Sequence, residues 1–188
     1  IIMAGIIKVN QYQDFNGNSI MTSDGSGNLT TQNIMKPAFE VYRNGDQTLT
    51  DNTETKVAFN ATTFDTDSAF DITTNYRFTV PSGKAGKYCF YCTLNASAQA
   101  VSQLDRFIVK FRKNGSTGDG AERGSYHYPS NNPGAQETIT MTATYDLSAS
   151  DYIEVYALID DTSGSPVLDS YISTATQMCY FGAYRIGS

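Results

Sequence analysis

From Ile139 to Tyr145 the chain alternates without a break. Ile139, Met141, Ala143 and Tyr145 are apolar or aromatic, and Thr140, Thr142 and Thr144 stand between them. A period of two sorts side chains onto the two faces of an extended strand, and a helix of 3.6 residues per turn cannot use it. The same period recurs elsewhere. Phe107, Val109 and Phe111 share a face, with Lys110 and Arg112 opposite, and Tyr88, Phe90, Cys92 and Leu94 share another. Ile153, Val155, Ala157 and Ile159 do likewise, but there Tyr152, Tyr156 and Leu158 make the opposite face apolar too. A strand apolar on both faces needs cover on both, and a second subunit is the simplest cover. Turn signals separate these runs: Asn44-Gly45-Asp46, Asn114-Gly115, Asn132-Pro133-Gly134 and Ser163-Gly164-Ser165-Pro166. Many short strands joined in this way predict an antiparallel β-sandwich or barrel. Only Val101 to Leu104 suggests a helical turn.

Composition narrows the function classes. The chain has 188 residues, enough for one such domain and a short extension. Charged residues make up 17%, against about 25% in typical soluble domains, and Thr, Ser, Asn and Gln supply the polar surface. Net charge is −6, from 13 basic and 19 acidic residues, and no basic cluster exceeds Arg112-Lys113. Nucleic-acid binding through phosphate neutralisation is therefore not expected. No apolar run approaches the roughly 20 residues of a membrane helix, so no membrane insertion is expected. The first eight residues lack the basic lead and long apolar core of a secretion signal. Three cysteines, Cys89, Cys92 and Cys179, are an odd count for a disulfide framework. Cys89 and Cys92, three apart on a strand, face opposite ways. Three free, buried thiols are expected.

The organisation changes near Lys36-Pro37. Residues 1–36 form a polar arm rich in Gly, Asn and Ser. In it Asn18-Ser19-Ile20-Met21-Thr22 and Asn28-Leu29-Thr30-Thr31 flank Ser23-Asp24-Gly25-Ser26-Gly27, the pattern of a hairpin. With so few apolar residues the arm is expected to dock on a partner protein or on neighbouring subunits. Residues 37–188 carry the strand pattern.

Within those residues an ordered series of motifs stands out: Pro37-Ala38-Phe39, Lys56-Val57-Ala58-Phe59, Phe64-Asp65, Phe78-Thr79-Val80-Pro81, and Gly86-Lys87-Tyr88-Cys89-Phe90. Lys113-Asn114-Gly115, the run Leu147 to Val155 and Phe181-Gly182-Ala183-Tyr184-Arg185-Ile186 complete it. In order and spacing the series resembles the C1q-like globular domain of the C1q/TNF superfamily. The resemblance implies an antiparallel jelly-roll β-sandwich that acts as a trimeric binding and structural module and not as an enzyme. It also implies that Tyr88, Tyr91, Tyr180, Phe181 and Tyr184 fill the core and the three-fold interface. The arm carries a second resemblance. Ile6-Ile7-Lys8-Val9-Asn10, Gly17-Asn18-Ser19-Ile20 and Asp24-Gly25-Ser26-Gly27-Asn28-Leu29-Thr30 are similar to the N-terminal segments of small bacteriophage virion proteins.

Candidate chemistry is sparse. His127, the one histidine, lies with Arg123, Tyr126 and Tyr128 in a stretch from Lys113 to Gln136 that reads as a long loop. Tyrosine and arginine in such a loop are recognition anchors, or they pack back on the barrel. These four residues are the candidate binding set. Asp65, Asp67, Asp71, Asp160 and Asp161 could serve calcium or glycoside chemistry, but they lack a calcium-loop signature and read as solvated carboxylates. No catalytic residue, cofactor or metal is expected. The expectation is a homotrimeric phage surface protein of the fibre, knob or capsid-decorating type. The arm would bind other virion proteins, and the head would contact a host surface glycan or protein. A secreted C1q-like module and a carbohydrate-active enzyme are the alternatives.

Overall fold

The computed structural model describes residues 9–31, 35–98, 104–118, 120–128, 135–162, 164–170 and 176–187. The expected turn at Asn132-Pro133-Gly134 and nearly all of the helical turn from Val101 lie outside them, as do Ile6, Ile7 and Lys8. The chain divides into two compact units, Ile1–Ile34 and Met35–Ser188.

The first unit is a three-stranded antiparallel meander of β1 (Gln11–Gln13), β2 (Ser19–Ser23) and β3 (Leu29–Thr31). The hairpin expected between Asn18 and Thr31 is β2–β3; β1 adds a second. Both turns close with the same clasp. Asp14 Oδ1 accepts from the backbone N–H groups of Asn16 and Asn18, Oδ2 accepts from Asn18 Nδ2, and the Asp14 N–H donates to the Asn18 carbonyl. Asp24 repeats every one of these bonds with Ser26 and Asn28. Gly17 and Gly27 precede the two asparagines at φ of +82° and +93°, a backbone state that favours glycine. Tyr12, Phe15, Ile20 and Leu29 are all exposed.

The second unit is a β-sandwich, and its described residues contain no helix. Its strands are β4 (Ala38–Tyr42), β5 (Gln47–Thr48), β6 (Thr55–Lys56), β7 (Ala61–Asp65), β8 (Phe70–Asp71), β9 (Arg77–Thr79) and β10 (Gly86–Ser97). Then come β11 (Leu104–Lys113), β12 (Glu122–His127), β13 (Gln136–Leu147), β14 (Tyr152–Asp161), β15 (Val167–Leu168) and β16 (Tyr180–Gly187). In one sheet β13, β10, β16, β4 and β7 lie side by side, with β15 and β5 continuing from the far end of β10. The other runs β12-β11-β14-β9-β8, with β6 also against β14. All pairings are antiparallel.

The alternating runs set the core. Tyr88, Phe90, Cys92 and Leu94 of β10 and Phe107, Val109 and Phe111 of β11 point inward and are fully buried. In β13 the apolar set turns in, and Thr140, Thr142 and Thr144 are exposed. The ring of Phe181, on β16, lies 5.3–6.0 Å from those of Phe39, Phe59, Phe70, Phe90 and Phe111.

Three expectations are corrected. The stretch from Lys113 to Gln136 is not one loop: Glu122–His127 pair with β11 along their length. Alternation does not betray β12 because it is an edge strand that buries little on either face. The outer face of β14 needs no second subunit, since Arg77 lies 4.1 Å over the Tyr152 ring and Arg112 lies 4.2 Å over that of Tyr156. Cys92 and Cys179 are buried, but Cys89 is only half-buried, because its side of the strand is the outer one.

Candidate interaction surfaces

The two sheets present very different outer faces. On the β11–β14 sheet the face is laced by charge. Glu54 bridges Lys110 and Arg112, and Glu122 lies 3.1 Å from Lys110 and 2.7 Å from Arg112. Lys56 meets Glu154 at 2.5 Å and Arg106 meets Asp160 at 3.0 Å. Burial of Glu54 works against its charge, but the hydrogen bonds from Lys110 and Arg112 outweigh it and hold the carboxyl below its usual range. The same contacts raise Lys110 and Arg112 against their own desolvation. Every cation named here already has its anion.

The outer face of the other sheet carries rings and hydroxyls. Tyr91 of β10 and Tyr180 and Tyr184 of β16 are half-buried there. Beside them runs a ladder of threonines on β13, of which Thr140 bonds Thr93 at 2.9 Å and Thr138 donates to Asn95 Oδ1 at 3.0 Å. Charge there is carried by Lys87 and Asp146, paired across β10 and β13 at one end, by Glu40 of β4, and by Asp169, which accepts from Gln136 of β13 at 3.0 Å at the other end. The Tyr91 hydroxyl donates to Glu40 Oε2 at 3.0 Å. Desolvation, together with this bond, pushes the phenol far above its usual range. Of the five aromatics that the resemblance divides between core and interface, Tyr88 and Phe181 are core residues.

The four candidate binding residues do not converge. Tyr126 lies on the charged face, its ring against Gly124 and 5.8 Å from Lys110 Nζ. Arg123 and His127 point to the other side of β12. The Arg123 guanidinium stands 5.5 Å from the Tyr145 ring, and His127 Nδ1 is 3.1 Å from Glu137 Oε1. Tyr128 follows the strand and is 61% exposed, Tyr126 53%. Together they make a strip along a sheet edge.

The aspartates are taken up in turns and pairs. Asp65 accepts from the N–H of Phe70 at 2.9 Å, and Asp71 from those of Thr73, Thr74 and Asn75. Backbone N–H donors hold Asp71 far below the carboxylate range. Among the described residues no three His, Cys, Asp or Glu side chains are grouped to hold a metal ion. Sequence reasoning passed over Arg77, whose position between two acidic neighbours becomes visible only from the strand register.

No family model and no curated protein matches this chain. Solved structures do. The globular domain of zebrafish complement 1qA protein is similar over 80% of this chain and 98% of its own, at 18% identity and a TM-score of 0.53. The Eiger TNF from S. frugiperda is similar over 79% of this chain and 90% of its own, at 12% identity and a TM-score of 0.49. The strand order, the antiparallel sandwich and the first of these likenesses together make the fold an antiparallel jelly roll of the C1q/TNF type.

Proposed function

We propose that this chain is a non-catalytic, homotrimeric surface protein of a bacteriophage particle, with the arm as its attachment and the jelly roll as its displayed head. The observation that carries the oligomer is the contrast between the outer faces. Rings, threonines and a half-buried cysteine on one face are the composition of a surface that is covered, since interface centres are rich in Tyr and poor in charge. The salt-bridged face is suited to water. Three-fold closure is what the C1q-like resemblance implies. The virion reading is supported by the wording of the arm, whose exposed Tyr12, Phe15, Ile20 and Leu29 offer apolar contacts for a partner. Three heads on one particle would gain avidity without a strong single site. The strip Arg123, Tyr126, His127 and Tyr128 is the proposed contact with a host surface glycan or protein.

The likeness to a complement globular domain favours, as second reading, a secreted binding module of the same oligomeric form. Mass spectrometry of purified phage particles separates the two: virion assignment requires this chain at stoichiometric copy number. Light scattering tests the assembly, and a monomer mass at micromolar concentration overturns it. Replacing Tyr126 and Tyr128 together by Ala should leave the melting temperature within a few degrees and weaken adsorption to host cells. A loss of several kcal/mol in stability, as buried aromatics show, would make the pair structural packing.

A further inference from the structure

Beside the β8–β9 hairpin lies an open cleft of about 360 Å³. Phe70 and Val80 form its apolar floor, and Asp67, Ser68, Asn75 and Arg77 stand around it. The register gives Arg77 two acidic cross-strand neighbours, Asp71 on β8 and Glu154 on β14. It pairs with neither. Both Asp71 oxygens are engaged by the N–H groups of residues 73–75 and by Asn75 Nδ2, and Glu154 is held by Lys56. The guanidinium instead stacks on Tyr152. The chain has six arginines, all among the described residues. Arg43, Arg106, Arg112, Arg123 and Arg185 each donate side-chain hydrogen bonds to an acceptor; Arg77 alone donates none to the described residues.

A planar fork of donors, fixed from behind by an aromatic ring and left without an anion, matches a carboxylate in two-point contact. The rest of the rim limits what else the ligand can be. The Asp67 carboxylate accepts from the Thr66 hydroxyl through Oδ2 at 2.6 Å, which leaves Oδ1 to accept from a ligand hydroxyl. Arg77 offsets one negative charge on the ligand against the repulsion of Asp67 and Asp71, and no further cation among the described residues lines the cleft to offset a second. The volume lies at the small end of ligand cavities. From this geometry we infer that the cleft binds a single carboxylated sugar unit. Its carboxylate sits on Arg77, its hydroxyls on Asp67 and Asn75, and its apolar face on Phe70 and Val80. The site is separate from the β12 strip and does not need it.

The test uses the full chain, with D-glucuronate as probe and D-glucose and glucose 6-phosphate as comparisons, followed by amide shifts in ¹H–¹⁵N spectra. Glucuronate should bind in the millimolar range and shift the amides of Ser68, Phe70 and Asn75. Glucose should bind at least tenfold more weakly, and the phosphate ester more weakly than glucuronate. Arg77→Met should abolish the shifts. Arg77→Lys, which keeps the charge but not the fork and so guards against misfolding of the first variant, should weaken binding at least fivefold. Asp67→Ala should weaken it severalfold. Equal binding of glucose, tighter binding of the phosphate ester, unchanged affinity in Arg77→Lys, a gain in Asp67→Ala, shifts confined to β12, or no binding at 50 mM probe (roughly the weak end of measurable affinity) would each overturn the inference.

Discussion

Tyr91 and Gly182 are direct partners across β10 and β16, and the phenol lies over the glycine so closely that a Cβ built there would stand 2.3 Å from both its Cζ and its hydroxyl oxygen. The absence of a side chain at Gly182 lets Tyr91 cross β16 and reach Glu40 on the strand beyond. The same Cβ would stand 2.8 Å from the carbonyl oxygen of Phe39, and backbone cannot swing aside as a ring can. Gly182→Ala should therefore cost about 1–3 kcal/mol, the range for overpacked sites. Denaturant unfolding measures it, and tryptic sensitivity at Lys87 reports whether the sheet has opened. Where the face is covered in an oligomer, the same substitution should also lower the assembled fraction in sedimentation.

Phe181 touches aromatic rings from both sheets and from the connecting segments between them. No neighbour can fill its place without leaving its own. Phe181→Ala should cost about 3–5 kcal/mol, read as a shift in denaturation midpoint with unchanged slope. Phe64→Ala, at a position 43% exposed, should cost well under half of that.

The thiols should separate by reactivity. Cys89 is half-buried beside Tyr184, its cross-strand partner, and should react in the native monomer, whereas Cys92 and Cys179 should react only after unfolding. Burial drives the Cys179 thiol from 9.0 up to about 11. A folded value raised in this way means that the unfolded chain releases its proton first. Stability is therefore full below pH 9 and falls as pH rises towards 11. Two pH units correspond to about 3 kcal/mol. Denaturation midpoints at pH 8, 9, 10 and 11 should show the fall, and Cys179→Ala should lessen it without abolishing it, because burial raises the Cys92 thiol too. Tyr88, pushed up to about 12 by burial, adds a further fall above pH 10.

Glu54 holds Lys110 and Arg112 from one side while Glu122 holds them from the other. Glu54→Gln should cost about 1 kcal/mol at low salt and less at 1 M, since exposed pairs are screened. Because the Glu54 carboxyl titrates below its usual range in the folded chain, its contribution is present above the unfolded carboxyl value and is lost as pH falls through the folded one. The difference between wild type and variant should shrink on acidification below pH 4.5.

The sequence revealed the sandwich because its long strands bury one face and expose the other. Strand β13 follows its alternation closely, and the apolar sets read in β10, β11 and β14 all turn inward, although Thr93, Asn95, Arg112 and Glu154 between them are buried as well. It did not reveal β12, where a glycine, a serine and two charged residues leave no apolar rhythm, nor β1, held by turns and not by burial. The double apolar character of β14 was visible, but not its cover. Arg77 and Arg112 are 75 and 44 residues distant from Tyr152 and Tyr156 along the chain, and only the register brings them over the rings. Of the candidate residues, Tyr126 and Tyr128 were open to two readings, exposed or packed back on the barrel, and both are exposed. The splitting of Arg123 and His127 from Tyr126 was not readable, because it follows from a strand that looked like a loop.

The paired clasps at Asp14–Asn18 and Asp24–Asn28 stand ten residues apart. Each period contains one turn that closes on its own side chains and one strand that leaves it. A segment written this way keeps its strand direction only when it changes in length by two periods. One period added reverses the direction of the chain, and two restore it.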